Sequence, residues 1–339
     1  MGPPHVDLFL KANATASAWH KPLLLSHTKP DCDALASLLV MRSFLRAQGI
    51  EPLTVQFDAI PPRYVALRHF EPMAVWEQDV SERDLADVDG VVVLDTCSYN
   101  QLEPLADWLR AARLPKLAVD HHVTRDDLAD VYVIDESASS TCLILYDWAR
   151  AIHLALDGEA LLALFVGIAT DTGWFRHANT DARTLSAAAE LADQGVNVNE
   201  VFRKLYETDS VARIRLLGLM LDGMELYADD RVAVQSIAEK TIQQLGGRTS
   251  DTEDVINEPL RIESVRVSVM LVEQTDGPIR VSFRSKPPAN DEAIDVDVAA
   301  VAAHFGGGGH RRAAGARISG SVESVRQLVL DHIKEVLDK

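Results

Sequence analysis

The sequence predicts an α/β fold: an N-terminal doubly wound, mainly parallel sheet, followed by a smaller α+β domain. Three observations carry this. Short, mainly apolar runs, 23–26, 90–94 and 116–119, alternate with helix-periodic segments, as strands buried on both faces do. Each run ends in Asp or His, and in open α/β sheets ligands bind beyond the carboxyl ends of strands. After Gly223 the texture changes to alternating apolar and polar residues, which reads as antiparallel β.

In chain order, 23–26 is the first strand and 33–48 the first helix, with Gly49 at its end. Between them lies His27-Thr-Lys-Pro-Asp31-Cys32-Asp33, where Pro30 fixes a turn and Asp33 takes the helix N-cap position. Residues 53–57 read as a strand, 61–68 as a short helix opening on Pro61, and 73–76 as a weaker strand. A buried strand ends at Asp95, a helix follows over 101–112, and the strand 116–120 runs into His121 and His122. A further strand covers 131–134. Helices follow over 140–152 and 157–169, the second leading to Asp171, then over 182–194, 198–206 and 210–221. The second domain reads as strands 232–237, 261–272 and 279–285 with a turn at Asp276-Gly277, a helix 296–305, the run Gly306–Gly309 before His310, a strand 314–318 and a helix 322–337. The boundaries expected are 1–209, a helical linker 210–228, and 229–339.

At 339 residues the chain exceeds what one core usually supports. A net charge of −18 argues against long nucleic acid, which needs a basic stripe, but not against a small phosphorylated ligand held locally. No apolar run approaches the length of a membrane span, and the first residues lack a signal peptide's basic start and apolar core. Three cysteines give no disulfide framework, so the cytoplasm is the expected compartment.

The chemistry-bearing strand ends are His27, Asp31, Asp33, Asp95, Asp120, His121, His122 and Asp171. Taken singly, each is more often a cap, a turn residue or a core histidine. Together they are too many for one ion and suited to two. Carboxylates with imidazoles and no regularly spaced thiolates suit Mn²⁺ or Mg²⁺ better than structural zinc. Paired ions about 3.5–4 Å apart serve in-line displacement at phosphorus. Arg176 and His177 are placed to meet a phosphate, or equally to be loop surface. In the second domain, four glycines need a reason, because each costs chain entropy. Gly307, Gly308 and Gly309 let backbone amides approach an anion, and His310, Arg284 and Ser285 add donors.

These motifs resemble the DHH phosphoesterases, named for a triplet present here as Asp120-His121-His122. HTKPDCDALAS, VVVLDT, VDHH and GIATDTGWF match that family's motifs in order, and FRSK with GGGGH–AAG resembles its associated C-terminal domain, so the likeness spans nearly the whole chain. Chain length and the GGGGH segment look most like the nanoRNase branch, which hydrolyses oligoribonucleotides of two to five nucleotides and dephosphorylates 3′-phosphoadenosine 5′-phosphate.

The resemblance implies two Mn²⁺, with Mg²⁺ or Co²⁺ as substitutes, activating water. His27, Asp31 and Asp95 would hold one ion, and Asp33, Asp95, His121 and Asp171 the other. Asp120 would orient His121, and His122 would face the scissile phosphate. Arg284, Ser285, the glycine run and His310 would bind substrate in a cleft between domains. Expected partners are short RNA or a small nucleotide, with no long nucleic acid and no membrane; a homodimer is allowed. Rival readings are a cyclic or linear dinucleotide phosphodiesterase, a RecJ-like single-strand exonuclease, and a nucleotide sensor without catalysis. The first motif departs from the family in carrying Cys32 and Ala36 where Gly is common. A thiol between two ligands is expected to make activity sensitive to oxidation.

Overall fold

The structure is a computed structural model that describes residues 5–58, 60, 64, 73–252, 255–275, 277–288 and 295–337. The backbone divides into two compact units, Met1–Thr208 and Asp209–Lys339.

In the first unit, strands β1 (Leu23–Leu25), β2 (Leu53–Gln56), β3 (Ala74–Val75), β4 (Val91–Leu94), β5 (Lys116–Asp120) and β6 (Val131–Ile134) form one sheet in the order β3-β2-β1-β4-β5-β6. Every pairing in it is parallel. The apolar runs are explained by two cores, one on each face. Leu24, Val92, Leu94, Leu117 and Val119 join one; Leu23, Leu25, Val91, Val93 and Ala118 join the other. Burying one such Leu or Val stabilises the fold by roughly 1.5–3 kcal/mol.

Helices α1 (Val6–Ala16), α2 (Cys32–Arg46), α4 (Thr141–Ala151) and α5 (Gly158–Asp171) cover the first face, and α3 (Ala106–Ala111) brings Leu109 to the core on the other. The helix expected over 101–112 is split: Tyr99–Leu105 is 3₁₀ with Pro104 inside, and only α3 is α-helical. Helices α6 (Ala182–Asp193) and α7 (Val198–Tyr206) follow, capped by Asp181 and Asn197 side chains. The short helix expected over 61–68 lies outside the described residues, Tyr64 apart. Helix α1 is not in the sequence reading; it packs Phe9 parallel to Trp148 of α4, ring centroids 6.0 Å apart.

The second unit begins with α8 (Val211–Asp222) and holds β7 (Glu225–Tyr227), β8 (Val232–Ala238), α9 (Glu239–Gln244), β9 (Val267–Glu273), β10 (Ile279–Ser285), α10 (Val298–His304), β11 (Gly308–His310), β12 (Ala313–Ile318) and α11 (Val322–Leu337). Its sheet runs β11-β12-β10-β9-β8-β7. It is mixed rather than antiparallel, because β8 pairs with β9 in parallel. Val232, Val267 and Phe283 face a core with α10 and α11, while Ile237, Met270 and Val272 face one with Leu216 and Met220 of α8. The strand expected over 261–272 starts at Val267, since Val255–Arg261 is 3₁₀. Asp276, half of the expected turn, lies outside the described residues.

Candidate metal centre

The loop after β1 turns through Lys29, whose φ is +52°, and enters α2. Asp31, not Asp33, is the N-cap: its Oδ1 accepts the Ala34 amide at 3.0 Å. That leaves Asp33 in the first helical turn, buried and aimed inward. Both its oxygens meet the N-terminus of α4, Oδ2 accepting the Thr141 amide at 2.7 Å and Oδ1 the Cys142 amide at 3.1 Å. Ser140 caps α4, its hydroxyl accepting the Leu143 amide.

Asp95 follows β4 with φ at +61°, a left-handed conformation that Asp tolerates better than most residues. Its carboxylate, 1% exposed, stands at the middle of the site. Oδ2 lies 3.5 Å from His27 Nε2 and Oδ1 lies 3.6 Å from His121 Nε2. The same His121 nitrogen is 3.7 Å from Oδ2 of Asp171, the last residue of α5. Donor atoms of His27, Asp31 and Asp95 lie within 4.8 Å of one another, as do those of Asp33, His121 and Asp171, and those of Asp95, His121 and His122.

Burial, then the charges of Asp33 and Asp31, push the Asp95 carboxyl well above the usual carboxylate range. Burial raises Asp33, with His121 opposing it, and burial followed by Asp33 and Asp31 pushes Asp171 up to about 8. Buried acids this close disfavour one another's ionisation unless a cation sits among them. Oxygen and imidazole donors in three adjoining triads, two of which share the Asp95 carboxylate, therefore fit divalent cations.

Asp120 does not orient His121. Its Oδ1 lies 2.7 Å from Nδ1 of His122 and accepts that residue's amide at 3.1 Å, while Nδ1 of His121 faces the Ala138 carbonyl at 3.3 Å. His122 is half exposed, and the hydrogen bond to Asp120 raises its pKa. Cys32 is 2% exposed and packed in the first-unit core, so burial denies an oxidant the access expected of it.

After α5, Gly173, Trp174 and Phe175 all hold φ near +60°, at +55°, +60° and +62°. Thr172 anchors this turn: its hydroxyl accepts the Phe175 amide, and its carbonyl accepts the Arg176 and His177 amides. Arg176 donates Nε to the Gly173 carbonyl, so it braces its own turn. Asn179 donates to the carbonyls of Ser139 and Asp171, tying the end of α5 to the approach of α4.

In the second unit, the glycine run is partly strand. Register aligns Arg284 with Ala313 and Ala313 with His310, so Arg284 and His310 flank a small residue in one row. A Cβ on Gly307 would stand 2.1 Å from the Gly315 carbonyl, which explains glycine there, whereas Gly308 faces open space. Ser285 is committed elsewhere, its buried hydroxyl donating to the Val296 carbonyl at 2.8 Å.

Roles absent from the sequence reading are those of Thr141, whose hydroxyl donates to Asp95 Oδ1 at 2.9 Å, and of Gly167, the first residue of GIATDTGWF, which makes room for Asp33. The run Ser139-Ser140-Thr141 before an apolar helix and the glycine inside one were the available signals.

The model of the DHH family, N-terminal domain, matches residues 21–168, and that of the DHHA1 domain matches residues 229–339. The bifunctional oligoribonuclease and PAP phosphatase NrnA of Bacillus subtilis (strain 168) is 28% identical over 308 residues, 90% of this chain and 91% of that one. A protein of the same name from Thermus thermophilus is 28% identical, over 93% of this chain and 90% of its own. The crystal structure of an exopolyphosphatase-related protein from Bacteroides fragilis superposes with a TM-score of 0.84 at 25% identity, over 99% of this chain and 98% of that one.

Proposed function

This chain belongs to the DHH family and carries a DHHA1 domain, and on that premise we propose that it hydrolyses short oligoribonucleotides to mononucleotides and 3′-phosphoadenosine 5′-phosphate to AMP. It is a hydrolase of nucleotide phosphate esters. The observation that carries the reading is Asp95, whose two oxygens face His27 on one side and His121 on the other. A carboxylate so placed would be able to hold two cations at once. The relatives named above, which match over about nine-tenths of both chains, supply the substrate class.

His27, Asp31 and Asp95 would hold one divalent cation, and Asp33, Asp95, His121 and Asp171 the other; oxygen and imidazole donors favour Mn²⁺. When bound, such a pair makes water acidic enough to attack phosphorus and offsets charge on the phosphoryl oxygens. His122 supplies what the departing ribose oxygen needs. Asp120 holds its Nδ1 and keeps the ring protonated to higher pH, leaving Nε2 to offer a proton and a positive charge. Arg284 and His310, in one row of the second sheet, would receive the phosphate or base distal to the reacting bond.

We assign the work to the cytoplasm, on ligands too short to need a basic track; no helix among the described residues is long and apolar enough to cross a membrane. The test is turnover with Mn²⁺ of two-to-five-nucleotide RNAs, 3′-phosphoadenosine 5′-phosphate, cyclic di-AMP and pyrophosphate. Release of mononucleotides and AMP is expected. Turnover confined to cyclic di-AMP or pyrophosphate would replace the reading, and nucleotide binding without turnover would make the chain a sensor.

A further inference from the structure

Thr141 is the first residue of α4 and is fully buried. Its amide donates to Asp33 Oδ2 at 2.7 Å and its hydroxyl to Asp95 Oδ1 at 2.9 Å, so one residue touches a carboxylate of each donor set. Helix formation does not explain it. The capping hydroxyl is that of Ser140, and a β-branched residue brings no helical advantage. The two carboxylates are held differently. Asp33 accepts two main-chain amides, Thr141 and Cys142, which any side chain at those positions would supply. The Asp95 carboxylate has the Thr141 hydroxyl as its hydrogen-bond donor.

That difference matters because the terminal torsion of an Asp side chain is broad and sets no plane by itself. Asp95 also sits on a left-handed backbone directly after β4, so strand alternation does not direct its side chain. For one oxygen to face His27 while the other faces His121, the plane must be fixed from outside. A hydroxyl donating to Oδ1 uses one of that oxygen's lone pairs and leaves the other directed at the site.

We propose that Thr141 is a positioning residue, whose hydroxyl sets the plane of the Asp95 carboxylate so that it bridges two cations. This rests on the two-cation reading of the centre. Groups that orient metal ligands in this way typically change metal affinity or activity by about 10–100-fold when removed.

The experiment uses the full chain. Thr141→Val keeps the amide and the shape while removing the hydroxyl; Thr141→Ser keeps the hydroxyl. Mn²⁺ affinity is measured by calorimetry, and turnover is followed as Mn²⁺ is raised, with a thermal melt in chelator reporting the fold. Thr141→Val is expected to bind Mn²⁺ about 10–100-fold more weakly, with turnover recovering as Mn²⁺ is raised. Thr141→Ser is expected to stay close to wild type in both. A purely structural residue would lose turnover that added Mn²⁺ does not restore. If Thr141→Val does not fold, Thr141→Ala is read by the same criteria. Wild-type affinity in the valine variant, or a serine variant as weak as the valine one, overturns the proposal while leaving the centre intact. Failure of the wild-type chain to bind Mn²⁺ overturns the centre and the proposal together.

Discussion

A β-carbon on Gly167 would stand 2.6 Å from Oδ1 of Asp33, and 2.3 Å from the sulfur of Cys142. Gly167 lies inside α5, with no left-handed φ to explain it, so the space itself is the reason. An alanine there gains about 1 kcal/mol of helix propensity, but overpacking a filled core typically costs about 1–3 kcal/mol, so the clash should win. We expect Gly167→Ala to lower both the melting temperature and the Mn²⁺ affinity. Gly218→Ala in α8, where a β-carbon meets nothing within 4 Å, should instead stabilise by about 1 kcal/mol. Parallel melts of the two variants check the contrast; equal shifts would refute it.

Asp95→Asn keeps a side chain that accepts a left-handed backbone while removing the charge proposed to serve both cations. Turnover should fall below detection, even at high Mn²⁺. The metal-free fold should become more stable, because a buried acid crowded by Asp33 and Asp31 is neutralised. A gain of about 1 kcal/mol raises the midpoint of a domain this size by roughly 2–4 °C. A variant that keeps turnover, or melts lower in chelator, contradicts this account.

In the metal-free chain burial, then Asp33 and Asp31, push Asp171 up to about 8 from its ordinary 3.8. A ligand must be deprotonated to hold a cation, so Mn²⁺ captured near neutral pH should expel a proton. Affinity then rises with pH toward 8 and levels beyond it. Calorimetry in buffers of different ionisation enthalpy counts the protons, and a heat independent of buffer at neutral pH would tell against it. The folded state binds this proton more tightly than the unfolded one. Its contribution to stability therefore declines as pH rises from 3.8 through about 8. Melts in chelator should follow that slope.

Asp120→Asn removes the carboxylate that raises His122. The alkaline limb of the kcat/KM profile should move to lower pH, with Mn²⁺ affinity little changed because neither residue is among those proposed to hold the two cations. Asp120 itself is raised by burial but held below its ordinary range by its hydrogen bonds to His122. In the wild type the His122 contribution to stability is complete below its unfolded pKa and fades as pH rises through the raised folded value. The Asp120 contribution fades as pH falls through its depressed one. An unmoved alkaline limb in the variant would falsify the pairing.

Strands β1, β4 and β5 were legible because burial on both faces writes an uninterrupted apolar run, and the donors were legible because each run stops at one. Helix α1 was not. His5 enters it at φ +59° with no side-chain cap, so the usual start signal is missing, and two of its three buried positions are alanines. Strand β11 was illegible for another reason: glycines carry no alternation, and only pairing with β12 makes the segment a strand. The β8–β9 pair reads as antiparallel by pattern, yet both strands are covered on two faces and run in parallel. Thr141 and Gly167 act through contacts distant in the chain, which local pattern does not carry.

The strand order also bears on how the molecule is made. β1, which precedes the other strands of its sheet in the chain, lies between β2 and β4, and its donor loop waits for β4, β5 and finally α5 to arrive. Parallel pairing at such separations is slow, because loop closure must come before the contacts that reward it. His27, Asp31 and Asp33 are therefore synthesised long before Asp171 can join them. The centre can close only once α5 has arrived, and tight capture of a cation would mark that moment.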